Sequence, residues 1–366
     1  MAFNVHPGLQ SLQPYVPGKS ADDLARELGL DDIVKLASNE NPLGCSPEAL
    51  RGIRSVLHDL HLYPDGNAQA LKQAIQQKFQ IALNCITVGN GSNEILELMV
   101  AAFVQPDDEV VISEHAFAVY ALATQAAGGR LTIAPANAST HEQPYGHDLE
   151  AMLSKINDQT RLVFVANPNN PTGTWLSETE LRYFVQQVPA HVLVVIDQAY
   201  TEYVQAKDYA SAIHWPEQYP NVVVTQTFSK IYGLASLRVG YGIASAEVTD
   251  YLNRVRQPFN VNTIAQAAAV AALTDDEFVS QSVLANQVGL RQLQTACEAL
   301  DLSYLPSAGN FLCINVGQAD AIYQQLLEQG VIVRPVANYG LPNYLRVTVG
   351  TEAENQRFIK ALKNCL

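Results

Sequence analysis

The sequence predicts an α/β fold, a doubly wound sheet followed by a smaller α+β unit. Three observations predict it. Short apolar or β-branched runs alternate with segments of helical period as far as Pro258. Beyond Pro258 the pattern changes to one long helical stretch, Asp275 to Leu300, and then three further strand-like runs. The length of 366 residues suggests about two domains at ~150 residues each, and 48% hydrophobic content supplies a packed core.

The elements follow in order. Strands are expected at Glu109 to Ser113, Leu131 to Ala134, Leu162 to Ala166, Val192 to Ile196, Val222 to Gln226 and Gly240 to Ala244. Between or before them, helical periodicity covers Gln69 to Phe79, Glu94 to Phe103, Val119 to Ala127, Leu149 to Ile156 and Glu178 to Gln187. Ser177 followed by Glu180 is a capping-box signature, as is Thr351 followed by Glu354 before the last helix. Ser92 reads as the N-cap of the helix that follows Gly91. In the second unit the strands are Phe311 to Val316, Val331 to Arg334 and Tyr344 to Val349, interleaved with helices Ala319 to Gln329 and Glu352 to Leu362.

Chemistry concentrates behind three of these strands. Lys230 lies just past the strand ending near Thr227, with Ser229 before it and Arg238 further on. An amine so placed can condense with an aldehyde, and Ser229 and Arg238 can hold a phosphate beside it. Asp197 ends the apolar run Val192 to Ile196, where open α/β sheets place their ligands. There it can pair with a pyridinium nitrogen, or serve as a helix cap. Tyr200 follows within hydrogen-bonding reach of the same place. The third piece, Asn167-Pro168-Asn169-Asn170-Pro171-Thr172-Gly173, is a loop whose prolines and glycine restrict its path. It can offer the Asn170 amide to a ligand, or be a plain connection.

In this order, Asn-Pro-x-Asn-Pro-Thr-Gly, Asp-x-Ala-Tyr and Ser-Lys with its downstream Arg238 resemble the motifs of the fold type I pyridoxal-phosphate aminotransferases. Within that superfamily the chain is similar to the histidinol-phosphate aminotransferase group. Further support comes from Leu36-Ala37-Ser38-Asn39-Glu40-Asn41-Pro42, Tyr63-Pro64-Asp65, Gly89-Asn90-Gly91-Ser92-Asn93-Glu94 and Leu345-Arg346-Val347-Thr348-Val349-Gly350-Thr351. The resemblance implies a large mixed-sheet cofactor domain over residues 39–258 and a small domain over 259–366. Residues 1–38 would form an N-terminal arm and part of the small domain.

For the site, the resemblance implies that Lys230 carries pyridoxal 5'-phosphate and moves the proton, Asp197 pairs with the ring nitrogen, and Tyr200 and Asn170 bond the ring oxygen. Gly91, Ser92, Asn93, Ser229 and Arg238 would cup the phosphate, helped by free N–H groups at a helix start, and Phe117 would stack on the ring. Tyr15, Asn39, Arg334 and Arg346 would bind substrate, the arginines through its phosphate. Tyr63 would reach the neighbouring subunit's cofactor, making a homodimer with shared sites. The implied reaction moves an amino group between histidinol phosphate and 2-oxoglutarate, giving glutamate. An aromatic amino acid aminotransferase is the alternative.

Two other classes stand beside it. Decarboxylation of a phospho-amino acid on the same scaffold would not consume 2-oxoglutarate. The aminotransferase-like half of a transcription regulator would need an added DNA-binding domain. A net charge of −14 disfavours nucleic acid and anionic membranes as partners. No apolar run approaches the ~20 residues of a membrane span, and no signal peptide is evident. Five scattered cysteines and eight histidines without ligand spacing argue for free thiols, a cytoplasmic setting and no metal.

Overall fold

The computed structural model describes residues 8, 9, 12, 14 and 17–366. Strand β1 (Val34–Lys35) belongs to the smaller unit. The large sheet is built from β2 (Ile86–Gly89), β3 (Glu109–Ser113), β4 (Arg130–Ala134), β5 (Thr160–Ala166), β6 (Leu193–Asp197), β7 (Val222–Thr227) and β8 (Gly240–Ile243). Its order is β2-β8-β7-β6-β5-β3-β4. The pairs from β7 to β4 are parallel, while β8 runs antiparallel to both β7 and β2. It is a mixed seven-stranded sheet.

Alternation along β5 explains why both faces are covered. Leu162 and Phe164 enter one core with Ile95, Met99 and Val223, while Val163 and Val165 enter another with Phe184, Val194 and Val224. Helices Gly91–Phe103 and Ala118–Ala127 lie on the first face, and Glu178–Gln187 lies on the second. Parallel β5, β6 and β7 therefore end side by side, with Asp197 in register with Ala166 and Thr225. The loops leaving these ends carry the three sequence motifs.

The smaller unit contains β9 (Phe311–Asn315), β10 (Val331–Ile332), β11 (Arg334–Pro335) and β12 (Tyr344–Thr348). An antiparallel sheet of order β11-β12-β9 packs with helices Asp276–Ala299 and Glu352–Cys365 around Leu293, Leu312, Leu345 and Phe358. β1 pairs in parallel with β10, which ties the start of the described chain to this unit. Both predicted capping boxes are present, at Ser177/Glu180 and Thr351/Glu354.

Some local expectations are corrected. Ser92 is not the N-cap: the helix starts at Gly91 with Asn90 as its cap, two residues earlier, Gly91 at φ +75° making the turn. The Glu94 carboxylate accepts from the Asn90 N–H instead. The run Val331 to Arg334 is not one strand but passes between two sheets, β10 bonding β1 and β11 bonding β12. The antiparallel edge strand β2 and the helices Pro47–Ser55, Ala246–Val255 and Thr263–Ala272 were not anticipated.

Gly240 sets how closely β8 approaches the helix at Gly91. A Cβ there would stand 2.4 Å from the Ser92 nitrogen, 2.6 Å from the Gly91 carbonyl carbon and 2.8 Å from the Gln226 oxygen, all backbone. Gly240→Ala is accordingly expected to destabilise by ~1–3 kcal/mol, the scale of an overpacked site. Thermal unfolding measures it, and an unchanged Tm would show that this approach is not limiting.

Candidate active site

A cavity of about 270 Å³ opens at the ends of β5, β6 and β7. Its chemistry differs from end to end. At one end Gly91, Ser92 and Asn93 begin the helix beneath Arg238 and Ser229. Arg238 donates to Ser229 Oγ at 3.4 Å and to the Ala235 carbonyl at 3.0 Å. A Cβ on Gly91 would meet the Arg238 guanidinium at 2.9 Å, so glycine is what lets the cation close over the helix start. Open backbone N–H groups, a hydroxyl and a guanidinium make an anion cup.

Asp197 stands elsewhere in the same cavity, buried. Tyr120 Oη donates to its Oδ2 at 2.8 Å, and Thr225 Oγ1 to its Oδ1 at 3.1 Å. Burial raises the carboxyl above its usual range, and these two hydrogen bonds oppose that shift. Phe117, the residue before helix Ala118–Ala127, lines the cavity from the side.

Lys230 lies between these features. Its Nζ donates to the Ser38 carbonyl at 2.9 Å and sits 5.8 Å from the centre of the Tyr200 ring. Burial, aided by the Arg346 charge, lowers its pKa to about 7. A neutral amine is thus available near neutral pH, which a nucleophile or a proton carrier needs. Tyr200 is held by the Asn39 amide, which donates to its Oη at 2.9 Å, and burial pushes its phenol up to about 12.

A second cavity of about 190 Å³ adjoins the first, sharing Ser38, Phe117, Asn170, Tyr200 and Lys230. Arg334 and Arg346 line it. They are direct partners across the antiparallel β11–β12 pair, which puts both side chains on the same face. Arg346 is buried, donates to the Ala37 carbonyl at 2.8 Å and bonds Asn170 Oδ1. Its Nε has no hydrogen-bond partner among the described residues. Like charges opposed in a strand pair cost stability, so the pair suits an anionic ligand.

The structure therefore brings together Lys230, Asp197, Tyr200, Asn170, Phe117, Ser229, Arg238, Gly91, Ser92 and Asn93 around one cavity. Asn39, Arg334 and Arg346 border its neighbour. It does not bring Tyr63 there. That ring is 83% exposed and stacks on Phe259 at 4.9 Å, outside both cavity walls. The expected substrate residue Tyr15 lies outside the described residues. Sequence reasoning missed Tyr120 and Thr225, the donors to Asp197, and Tyr339, which lines the second cavity. Only Tyr120 carried a signal, standing one helical turn beyond Phe117.

Comparison with known proteins defines the class. The aminotransferase class I and II family matches residues 31–362, and this chain belongs to that family. The relatives it is similar to are histidinol-phosphate aminotransferases. Histidinol-phosphate aminotransferase 2 of Pseudomonas fluorescens (strain Pf0-1) is 55% identical over 98% of this chain and 96% of its own length. The Pseudomonas aeruginosa protein of that name is 53% identical over 98% of this chain and 97% of its own. The crystal structure of histidinol-phosphate aminotransferase from Sinorhizobium meliloti in complex with pyridoxal-5'-phosphate superposes with a TM-score of 0.91. It is 29% identical and the match covers 100% of this chain and 98% of that one.

Proposed function

We propose that this chain is a pyridoxal 5'-phosphate-dependent histidinol-phosphate aminotransferase of histidine biosynthesis. It transfers an amino group reversibly between L-histidinol phosphate and 2-oxoglutarate, giving imidazole-acetol phosphate and L-glutamate. The residues fit the cofactor at three chemically distinct points: an anion cup for its phosphate, a buried carboxylate for its ring nitrogen, and an amine for its aldehyde. When bound, the cofactor supplies an electron sink that stabilises negative charge at the substrate's reacting carbon.

The chain's own residues do the rest. Gly91, Ser92, Asn93, Ser229 and Arg238 hold the phosphate, and Phe117 covers one face of the ring. Asp197 keeps the ring nitrogen protonated, while Asn170 and Tyr200 bond the ring oxygen. Lys230 holds the cofactor between turnovers and moves the proton at the substrate's reacting carbon, a task suited to an amine titrating at about 7. The proposed domain division is 1–38 for the arm and part of the small domain, 39–258 for the cofactor domain and 259–366 for the small domain. We place the enzyme in the cytoplasm, consistent with free cysteines and with no described helix long and apolar enough to cross a membrane. It acts as a homodimer, with the exposed Tyr63 reaching the neighbouring subunit's cofactor phosphate.

The observation that carries the substrate is the facing pair Arg334 and Arg346. With Tyr15 they clamp the phosphate of histidinol phosphate. Losing one partner of a buried charge-assisted pair costs ~2–5 kcal/mol. Arg334→Ala is therefore expected to lower kcat/KM for histidinol phosphate by that amount relative to phenylalanine, which carries no phosphate. The ratio of the two specificity constants measures it. An unchanged ratio would remove Arg334 from the phosphate site and move the aromatic amino acid aminotransferase reading to first place.

A further inference from the structure

Asp197 does not stand alone in the wall of the site. Helix Ala118–Ala127 brings two aromatic residues to it from one turn: Phe117 at its start lines the cavity, and Tyr120 reaches beneath to the carboxylate. The Tyr120 ring is fully buried and lies parallel to Phe164 of β5, with centroids 4.6 Å apart and planes at 2°. It also meets Phe117 edge-on at 5.9 Å. Phe164 and Phe117 therefore fix the ring from two sides, and its hydroxyl is aimed at Asp197 Oδ2. Thr225 on β7 takes the other oxygen. Each carboxylate oxygen thus has a side-chain donor from a different element, and the Ala199 backbone N–H adds a further donor, which fixes the plane of the group as well as its charge.

We propose that Tyr120 is a positioning residue for the reaction, holding Asp197 as an oriented anion towards the cofactor's ring nitrogen. This rests on the reading of Asp197 as the partner of that nitrogen. The pair between them has two forms, carboxylate with protonated ring and carboxylic acid with neutral ring. A phenol donating to Asp197 stabilises the first more than the second, because the bond to a charged acceptor is the stronger. Among the described residues, the other groups facing the carboxylate are Thr225 from β7, the Ala199 backbone N–H and Tyr200 from its own loop, and Lys230 from the loop after β7. Of these only Thr225 and Tyr120 donate to it through side-chain hydrogen bonds. Removing the Tyr120 hydroxyl therefore leaves the ring nitrogen with a weaker hold on its proton.

The test is Tyr120→Phe, which deletes one oxygen and keeps the ring that stacks on Phe164. Holoenzyme is reconstituted with pyridoxal phosphate labelled with ¹⁵N in the ring, and the nitrogen chemical shift is read at fixed pH. The expected result is a shift towards the unprotonated pyridine value. With it should come a kcat about tenfold lower and a KM within about twofold, the scale of losing one hydrogen bond to a charged group. Thr225→Val reads the same carboxylate from its other oxygen and gives the same direction of shift. Phe164→Leu disturbs the packing but leaves the hydroxyl, and is expected to lower Tm without moving the nitrogen signal. A Tyr120→Phe holoenzyme with the parent's nitrogen shift and kcat would overturn the proposal. Asp197→Asn separates the two readings. If it leaves the nitrogen signal unmoved, the assignment of Asp197 fails; if it moves the signal and Tyr120→Phe does not, only the Tyr120 role fails.

Discussion

Lys230→Ala is expected to fold, to bind pyridoxal phosphate without a covalent link, and to lose transamination by ~10⁴-fold or more. That figure is the upper end for one positioned acid–base group, and in the proposed mechanism the same residue also holds the cofactor. After borohydride treatment and dialysis the parent should keep cofactor on the chain and the variant should keep none. The apoprotein provides an independent check. Burial lowers Lys230 from 10.5 to about 7, so folding disfavours its proton. For a lysine shifted this way, the stability penalty is complete below about pH 7 and fades as pH rises towards 10.5. Apo Lys230→Ala, which has no such group, should melt no lower than the apo parent at neutral pH. Its advantage should shrink as pH rises. Borohydride-resistant retention of cofactor in the variant would place the carrier amine on another residue.

What the sequence made legible was whatever is written locally. The runs behind Asn170, Asp197 and Lys230 are apolar because β5, β6 and β7 are buried on both faces, so they read as strands one by one, and the motifs that follow them were joined into one site by their resemblance to a family. The capping boxes at Ser177 and Thr351 were legible for the same reason, both partners lying within one turn. Contacts set by tertiary packing were not legible. Tyr120 and Asp197 are far apart in sequence and meet only because helix Ala118–Ala127 lies over β5 and β6. That Arg334 directly opposes Arg346 depends on the register of β11 with β12, which no local pattern states. The Ser92 expectation failed locally instead. A glycine with positive φ moved the helix start by two residues, and propensity alone could not choose between serine as cap and serine in the first turn.

Asp197→Asn is expected to keep the fold and the cofactor while lowering kcat by ~10²–10³-fold, the scale for removing one preorganised charged group from a closed site. The substitution is nearly isosteric: one of the Tyr120 and Thr225 hydroxyls keeps an oxygen to donate to and the other faces the amide NH2, from which it can accept, but the amide carries no charge to keep the ring nitrogen protonated. The loss should appear in proton transfer at the substrate's reacting carbon rather than in binding. Single-turnover mixing with histidinol phosphate, followed by absorbance, separates the two: the dependence on substrate concentration should stay near that of the parent while the limiting rate collapses. The substrate clamp explains the asymmetry. Arg334 and Arg346 line the neighbouring cavity, and in the proposed clamp they would hold the phosphate without reference to the charge on Asp197. A limiting rate near the parent's would mean that the ring nitrogen draws its proton from another group, and Asp197 would then be a buried structural carboxylate held by its two hydroxyl donors.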